Sequence, residues 1–197
     1  MFYHHFIKGR DGMKRIIGLL LVMILLAGCA GHSNQMDRAL ALRSKLQQKE
    51  VSFHTVLTAD YGDRCYTFSM ACQADVLGNM KFTVLEPESI AGISGVVSKG
   101  NGKLTFDDKV LSFDVLADDL ISPVTGPWVL LETLKGGYLT SCAADGTTLR
   151  LTIDDSYQEN ALHLDIWLNE EDLPQRSEVF WQGRRLLSME VKNFTFL

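Results

Sequence analysis

The chain has 197 residues, of which 46% are hydrophobic, and its formal net charge is −5 at pH 7. A chain without an excess of basic residues lacks the positive surface that nucleic-acid binding requires, so that class of function is excluded. The length suits a leader segment followed by one domain with a sizeable core.

The chain opens with an export signal. Residues 16–27 are almost wholly apolar, and Lys14 and Arg15 stand directly before them. This apolar run is shorter than the roughly 20 residues that a helix needs to cross a bilayer, and its basic flank is typical of a secretory signal peptide. Met13 is the expected start, so residues 1–28 are predicted to be an upstream extension plus a lipoprotein signal peptide.

The signal ends in Leu26-Ala27-Gly28-Cys29, which resembles the bacterial lipobox. The resemblance implies cleavage before Cys29 and acylation of its thiol and of the new amino terminus. Two or three acyl chains anchor a protein stably where one would be marginal. The alternative is an ordinary signal peptide with a chance cysteine. Residues 29–35 are predicted to form a lipidated tether, with the protein at the cell membrane or outer envelope, facing outside the cytoplasm.

Cleavage changes the charge of the protein. Residues 1–28 hold four basic side chains and one acidic side chain, so the rest of the chain carries 15 basic and 23 acidic residues and a formal charge of −8. An acidic protein gains no electrostatic adhesion to an anionic membrane surface. The protein is therefore predicted to attach to the membrane through its N-terminal lipid anchor.

Residues 36–197 are predicted to form a single domain. Apolar residues at helical spacing predict an amphipathic helix over 36–48, after which the period changes to two. Strand candidates are separated by short turns and run over 51–59, 65–74, 80–86, 94–98, 103–107, 109–116, 138–145, 147–154, 161–169, 177–183 and 185–197. Proline and glycine between residues 123 and 127 mark a turn, and Trp128 to Leu134 form a second, apolar helix that Gly136 can end.

Strands joined by turns this short must be mostly antiparallel, because a parallel crossover needs a dozen or more residues. About ten such strands beside little helical mass imply a strongly curved sheet. The predicted fold class is therefore α+β: an unclosed antiparallel half-barrel with an N-terminal helix and a helical lid.

Three cysteines follow Cys29. Cys65 and Cys72 lie on opposite faces of one predicted strand and roughly 23 Å apart, at about 3.3 Å per residue, so they are not expected to pair. Two alternatives stay open for Cys142: a disulfide with one of these two cysteines, or a free buried thiol. There is no C-x-x-C pair with a nearby histidine cluster, so neither a metal site nor a cofactor is predicted.

No residue pattern supports catalysis. His54 and His163 each sit in a predicted strand among apolar neighbours, and Ser94 lies outside any G-x-S-x-G elbow. The acidic groups fall in or beside predicted turns, where solvated carboxylates are expected, and none has calcium-loop spacing. They are Asp107-Asp108, Asp118-Asp119, Asp154-Asp155 and Glu170-Glu171-Asp172. The protein is predicted not to be an enzyme.

The order of elements resembles the periplasmic lipoprotein-carrier (LolA-like) family and its lipoprotein relatives. The final 33 residues carry the resemblance best, in Trp167, Leu168, Pro174, Glu178, Gly183 and the pair Asn193-Phe194. The resemblance implies an unclosed barrel with a helical lid and implies no catalytic residues. The soluble carriers lack a lipid anchor and tend to show an arginine after an early proline, whereas this chain has Cys29 and reads Glu86-Pro87-Glu88-Ser89-Ile90.

Two apolar groups supply the candidate ligand-cavity residues: the nearly all-apolar predicted helix, and three residues that precede a hairpin without obvious charged partners. They are Ile90, Ile93, Val96, Trp128, Leu130, Leu131 and Leu134. One hypothesis has them lining a cavity for a lipid or an acylated partner. The other has them filling the core of a cell-envelope protein-interaction or stress-sensing module. Burial is worth ~25 cal/mol per Å² in both cases, so the sequence leaves both open.

Overall fold

The computed structural model describes residues 30–99, 101–106, 109–114, 116–117 and 120–197. The predicted signal peptide and Cys29 lie outside the described residues. Within these residues the helices are α1 (Ala30–Gln48) and α2 (Gly126–Gly136), and a 3-10 turn spans Pro123–Thr125. The strands are β1 (Val51–Asp60), β2 (Cys65–Ala74), β3 (Met80–Glu86), β4 (Ser94–Ser98), β5 (Asn101–Phe106), β6 (Lys109–Asp114), β7 (Leu116–Ala117), β8 (Leu120–Ile121), β9 (Tyr138–Asp145), β10 (Thr148–Asp154), β11 (Leu162–Leu168), β12 (Pro174–Trp181) and β13 (Arg184–Phe196).

Eleven of these strands form one antiparallel sheet, and β7 and β8 form a separate pair. The order in the large sheet is β6-β5-β4-β3-β2-β1-β13-β12-β11-β10-β9. The first and last long strands therefore meet near the middle, where Leu57 of β1 lies opposite Met189 of β13. Within the described part of the chain, β6 and β9 are the two edges and do not pair with each other. The predicted fold class, an α+β unclosed antiparallel half-barrel, is confirmed.

Alternation along the strands separates an inner face from an outer face. In β1, Phe53 and Leu57 are buried, whereas His54 between them is exposed. The strands have this period because successive side chains point to opposite faces of a sheet. The apolar inner face and the two helices enclose the core.

Helix α2 lies directly on the centre of the sheet. A Cβ atom on Gly126 would lie 2.8 Å from Leu57 Cδ1 and 3.0 Å from Leu187 Cδ1, so any larger residue would force these leucine side chains of β1 and β13 to move. Leu130 and Leu131 are almost completely buried. The predicted helix over residues 128–134 is confirmed, with two more residues at each end.

Helix α1 is joined to the end of α2 by hydrogen bonds. Arg43 Nε donates to the carbonyl oxygen of Leu134, and one Arg43 terminal nitrogen donates to that of Gly137, both at 2.8 Å. The last carbonyls of a helix have no partner within it, and a cation at this end is favoured by the helix dipole. Arg43 therefore fixes the relative position of the two helices.

The three cysteines beyond residue 29 are free thiols. Cys65 is exposed, whereas Cys72 and Cys142 are buried, and the prediction that Cys65 and Cys72 do not pair is confirmed. Burial raises the pKa of the Cys72 thiol to about 12 and also raises the pKa of Cys142.

Alkaline pH is expected to destabilise the fold through Cys72. The pKa of this thiol is about 12 in the folded protein, compared with the ordinary value of 9.0 in the unfolded chain. As the pH rises, the thiol therefore loses its proton in the unfolded chain before it does so in the folded protein. The free energy of unfolding should fall by about 1.4 kcal/mol per pH unit between these two values. Urea unfolding from about pH 8 to about pH 11 measures the slope. Cys72→Ala should flatten it relative to Cys65→Ala, and equal slopes would contradict the assignment.

Candidate functional site

A cavity of about 570 Å³ opens on the inner face of the sheet beside α2. It is bounded by β2, β3, β5, the loop between β3 and β4, and the 3-10 turn. No charged side chain is among its lining residues, which are Cys65, Tyr66, Thr67, Phe68, Val84, Pro87, Ser89, Ile90, Ile93, Leu104, Pro123 and Val124. The cavity can therefore hold an apolar group, and its lining includes the exposed, uncharged residues Tyr66 and Ser89.

The loop between β3 and β4 is held against the end of β3 by its backbone. Val84 N–H donates to the carbonyl oxygen of Ile93 at 2.8 Å, and Gly92 N–H donates back to that of Val84 at 2.9 Å. Gly92 has a φ of +86°, a conformation that L side chains rarely adopt and glycine adopts readily. These bonds place the half-buried side chains of Ile90 and Ile93 on the cavity wall.

The opposite wall is fixed by the hydroxyl of a half-buried tyrosine. Tyr61 Oη donates to the carbonyl oxygen of Ile121 at 2.6 Å, directly before the segment that carries Pro123 and Val124. Burial, with a smaller contribution from neighbouring Tyr66, raises the pKa of Tyr61 to about 12. The Tyr61 hydroxyl is therefore neutral, and thus able to donate, across the physiological pH range.

The structure brings two of the seven candidate cavity residues together at this cavity, namely Ile90 and Ile93. Val96 lies on the outer face of β4, where it is 41% exposed and stands opposite Lys81 and Lys103. Its neighbour Val97 is the buried one, because strand alternation puts only one of two adjacent valines on the inner face.

The four candidates on α2 lie in the packed part of the molecule. Leu130, Leu131 and Leu134 are buried between the helix and the sheet. Trp128 is half-buried, and its Nε1 donates to the carbonyl oxygen of Gly78 at 2.8 Å. These side chains pack the core beside the cavity and are not among the residues that line it.

Ten of the twelve lining residues were not among the sequence candidates, and the apolar ones among these ten include Phe68, Val84, Leu104 and Val124. Phe68, Val84 and Leu104 belong to strands whose alternation marks an inner face, and Val124 belongs to the proline turn. Alternation shows which face of a strand is apolar but not which part of that face a helix covers. The signal that could have found these residues is the cross-strand register, which the sequence does not contain.

Two carboxylates on the outer face of β11 and β12 form structural pairs with arginines. Asp165 is buried and accepts hydrogen bonds from Arg150 at 2.6 Å and Thr152 at 2.9 Å. Glu178, opposite Asp165 in the next strand, accepts from Arg176 and Arg185. These arginines neutralise two adjacent buried carboxylates, which would otherwise repel each other.

The structure supplies partners for two groups that the sequence offered as chemical candidates. His163 Nδ1 lies 2.8 Å from Asp154 Oδ1, and Asp172 forms an ion pair with Arg38 at 2.6 Å. Asp107-Asp108 and Asp118-Asp119 lie outside the described residues. Among the described residues there is no group of three or more side chains able to hold a metal ion.

No helix within the described ranges is both long enough and apolar enough to span a bilayer.

No protein-family model matches the chain, and no curated protein matches it. Solved structures similar to it include a LolA superfamily protein from Nitrosomonas europaea (9% identity, 81% of this chain and 93% of that chain, TM-score 0.43) and lipoprotein LppX from Mycobacterium tuberculosis (10% identity, 82% and 93%, TM-score 0.41). A complex of MucA and MucB from Pseudomonas aeruginosa is also similar (14% identity, 85% and 57%, TM-score 0.39). The first is a member of the family that the sequence resembles. All three TM-scores are low, so the function below rests on the cavity itself.

Proposed function

We propose that this protein is a lipid-anchored component of the cell envelope, facing outside the cytoplasm, that binds a hydrophobic ligand in its half-barrel. The ligand is a lipid or an acylated partner, and it is held without chemical conversion.

The cavity is the observation that carries this proposal. Its volume of about 570 Å³ falls within the range of roughly 300–1,000 Å³ that is usual for small-molecule sites. Its inner wall is made by Phe68, Val84 and Leu104, and its rim by Ile90 and Ile93. A ligand in this space would replace water against apolar side chains, and that transfer is the driving force for binding.

The packed part of the molecule gives the cavity a rigid frame. Helix α2 is pressed onto β1 and β13, and Arg43 ties it to α1. The cavity lies beside this frame, so a ligand can enter or leave without disturbing the residues that stabilise the fold.

The proposed anchor rests on the sequence at Leu26-Ala27-Gly28-Cys29. Acyl chains on Cys29 would hold the domain close to a membrane, where lipids and acylated proteins are available. The acidic domain would make no attractive contribution to membrane attachment.

The alternative function is a protein-interaction or stress-sensing module with a packed core. The burial of Leu130, Leu131 and Leu134, which α2 packs against the sheet, favours it. It requires the inner face to be filled throughout. The cavity beside α2 favours ligand binding instead.

Titration of the purified protein with the uncharged dye N-phenylnaphthylamine tests the proposal. We expect a saturable rise in dye fluorescence with one site per chain. Fluorescence that does not saturate would contradict the proposal.

A further inference from the structure

A row of inner-face positions leads from the core through the cavity wall to the open edge of the sheet. Phe82 of β3 stands opposite Gly95 of β4, Gly95 opposite Leu104 of β5, and Leu104 opposite Leu111 of β6. Directly opposed residues in antiparallel strands lie on the same face. Leu111 therefore shares the inner face with the cavity residue Leu104.

Burial falls steadily along this row. Phe82 is buried, and its ring lies against Gly95, where an added Cβ atom would come within 2.7 Å of the ring. Leu104 is half-buried and lines the cavity, and Leu111 is 63% exposed. Neighbouring strands lie about 4.8 Å apart, so Leu111 is one strand spacing beyond the cavity wall.

The residue before Leu111 provides an internal comparison. Val110 is 65% exposed and stands opposite Thr105, so it lies on the outer face. The two side chains are equally exposed and adjacent in sequence, but only Leu111 continues the apolar surface of the cavity. An exposed apolar side chain contiguous with an apolar cavity is typical of a binding surface rather than of scattered surface residues.

We propose that the ligand site extends from the cavity over Leu104 to Leu111, and that the preferred ligand is a single aliphatic chain too long for the cavity alone. The far part of that chain lies along Leu111 at the edge of β6. This inference rests on the proposed function, and it assigns Leu111 as a determinant of chain length. Each methylene that reaches this surface raises affinity roughly fourfold.

Displacement of N-phenylnaphthylamine by octyl, decyl, dodecyl and tetradecyl maltosides, each below its micelle-forming concentration, tests the extension. The wild-type protein should gain affinity with each lengthening. Leu111→Asp should lower affinity for the tetradecyl maltoside about sixteenfold, which corresponds to roughly two methylenes at fourfold each, and change affinity for the octyl maltoside less than about twofold. Val110→Asp adds the same charge on the outer face and should change neither value.

An equal loss for short and long chains in Leu111→Asp, or no loss for either, would overturn the extended site and leave the cavity itself standing. Equal losses in Leu111→Asp and Val110→Asp would show a general charge effect and would also overturn it. Failure of the wild-type protein to bind the dye and every maltoside would overturn the proposed function together with this inference. Circular dichroism and the thermal midpoint of each variant separate loss of binding from loss of fold.

Discussion

Leu130→Ala is expected to lower the free energy of unfolding by about 3–4 kcal/mol. Leu130 is completely buried on the helix that lies on the centre of the sheet. Truncation removes buried methyl groups and leaves a space that the surrounding side chains fill only in part. Urea unfolding, followed by circular dichroism, gives the change.

Leu77→Ala is the matched control for this substitution. Leu77 lies in the turn between β2 and β3 and is 86% exposed, so the same truncation there should change stability by less than about 0.5 kcal/mol. Dye affinity per folded molecule should be unchanged in Leu130→Ala, because this side chain packs the frame rather than the cavity. A large loss of dye affinity in folded Leu130→Ala would place the helix in the binding site.

Ile93→Trp is expected to weaken binding of N-phenylnaphthylamine roughly fifty- to hundredfold. The indole would occupy the cavity and displace roughly 100 Å² of ligand contact at ~25 cal/mol per Å². Stability should change little, because Ile93 is only half-buried and its backbone hydrogen bonds do not depend on its side chain.

The matched control is Val96→Trp, three residues further along the same segment. Val96 faces outward, so its replacement by tryptophan should leave dye affinity unchanged. Equal losses of affinity in the two variants would mean that the dye binds elsewhere, and an unchanged affinity in Ile93→Trp would remove this loop from the site.

Strand positions were predictable from the sequence because alternation is a local property. The strands over residues 65–74, 80–86, 94–98 and 138–145 begin and end where the pattern places them. Short turns then required antiparallel neighbours and predicted the curved, unclosed sheet. The pairing of β1 with β13 was not predictable, because short turns specify pairing only between strands that follow each other in the sequence.

The candidate site was predictable only in part. Ile90 and Ile93 stood out because they are apolar residues that precede a hairpin without obvious charged partners. Val96 and Val97 are adjacent and chemically identical, and only the register with Met80 of β3 decides that Val97 faces inward. The apolar character of α2 suggested a lid that lines the cavity, whereas Gly126 lets the helix press onto β1 and β13 and fill the space beneath itself. The cavity lies against the 3-10 turn that precedes the first residue of the helix.

Native mass spectrometry of the purified protein, followed by solvent extraction, tests ligand binding most directly. We predict a co-purified lipid at one molecule per chain, absent from Ile93→Trp and present in Val96→Trp. A ligand-free mass for the wild-type protein that persists after incubation with added lipids would contradict the account and favour the packed interaction module.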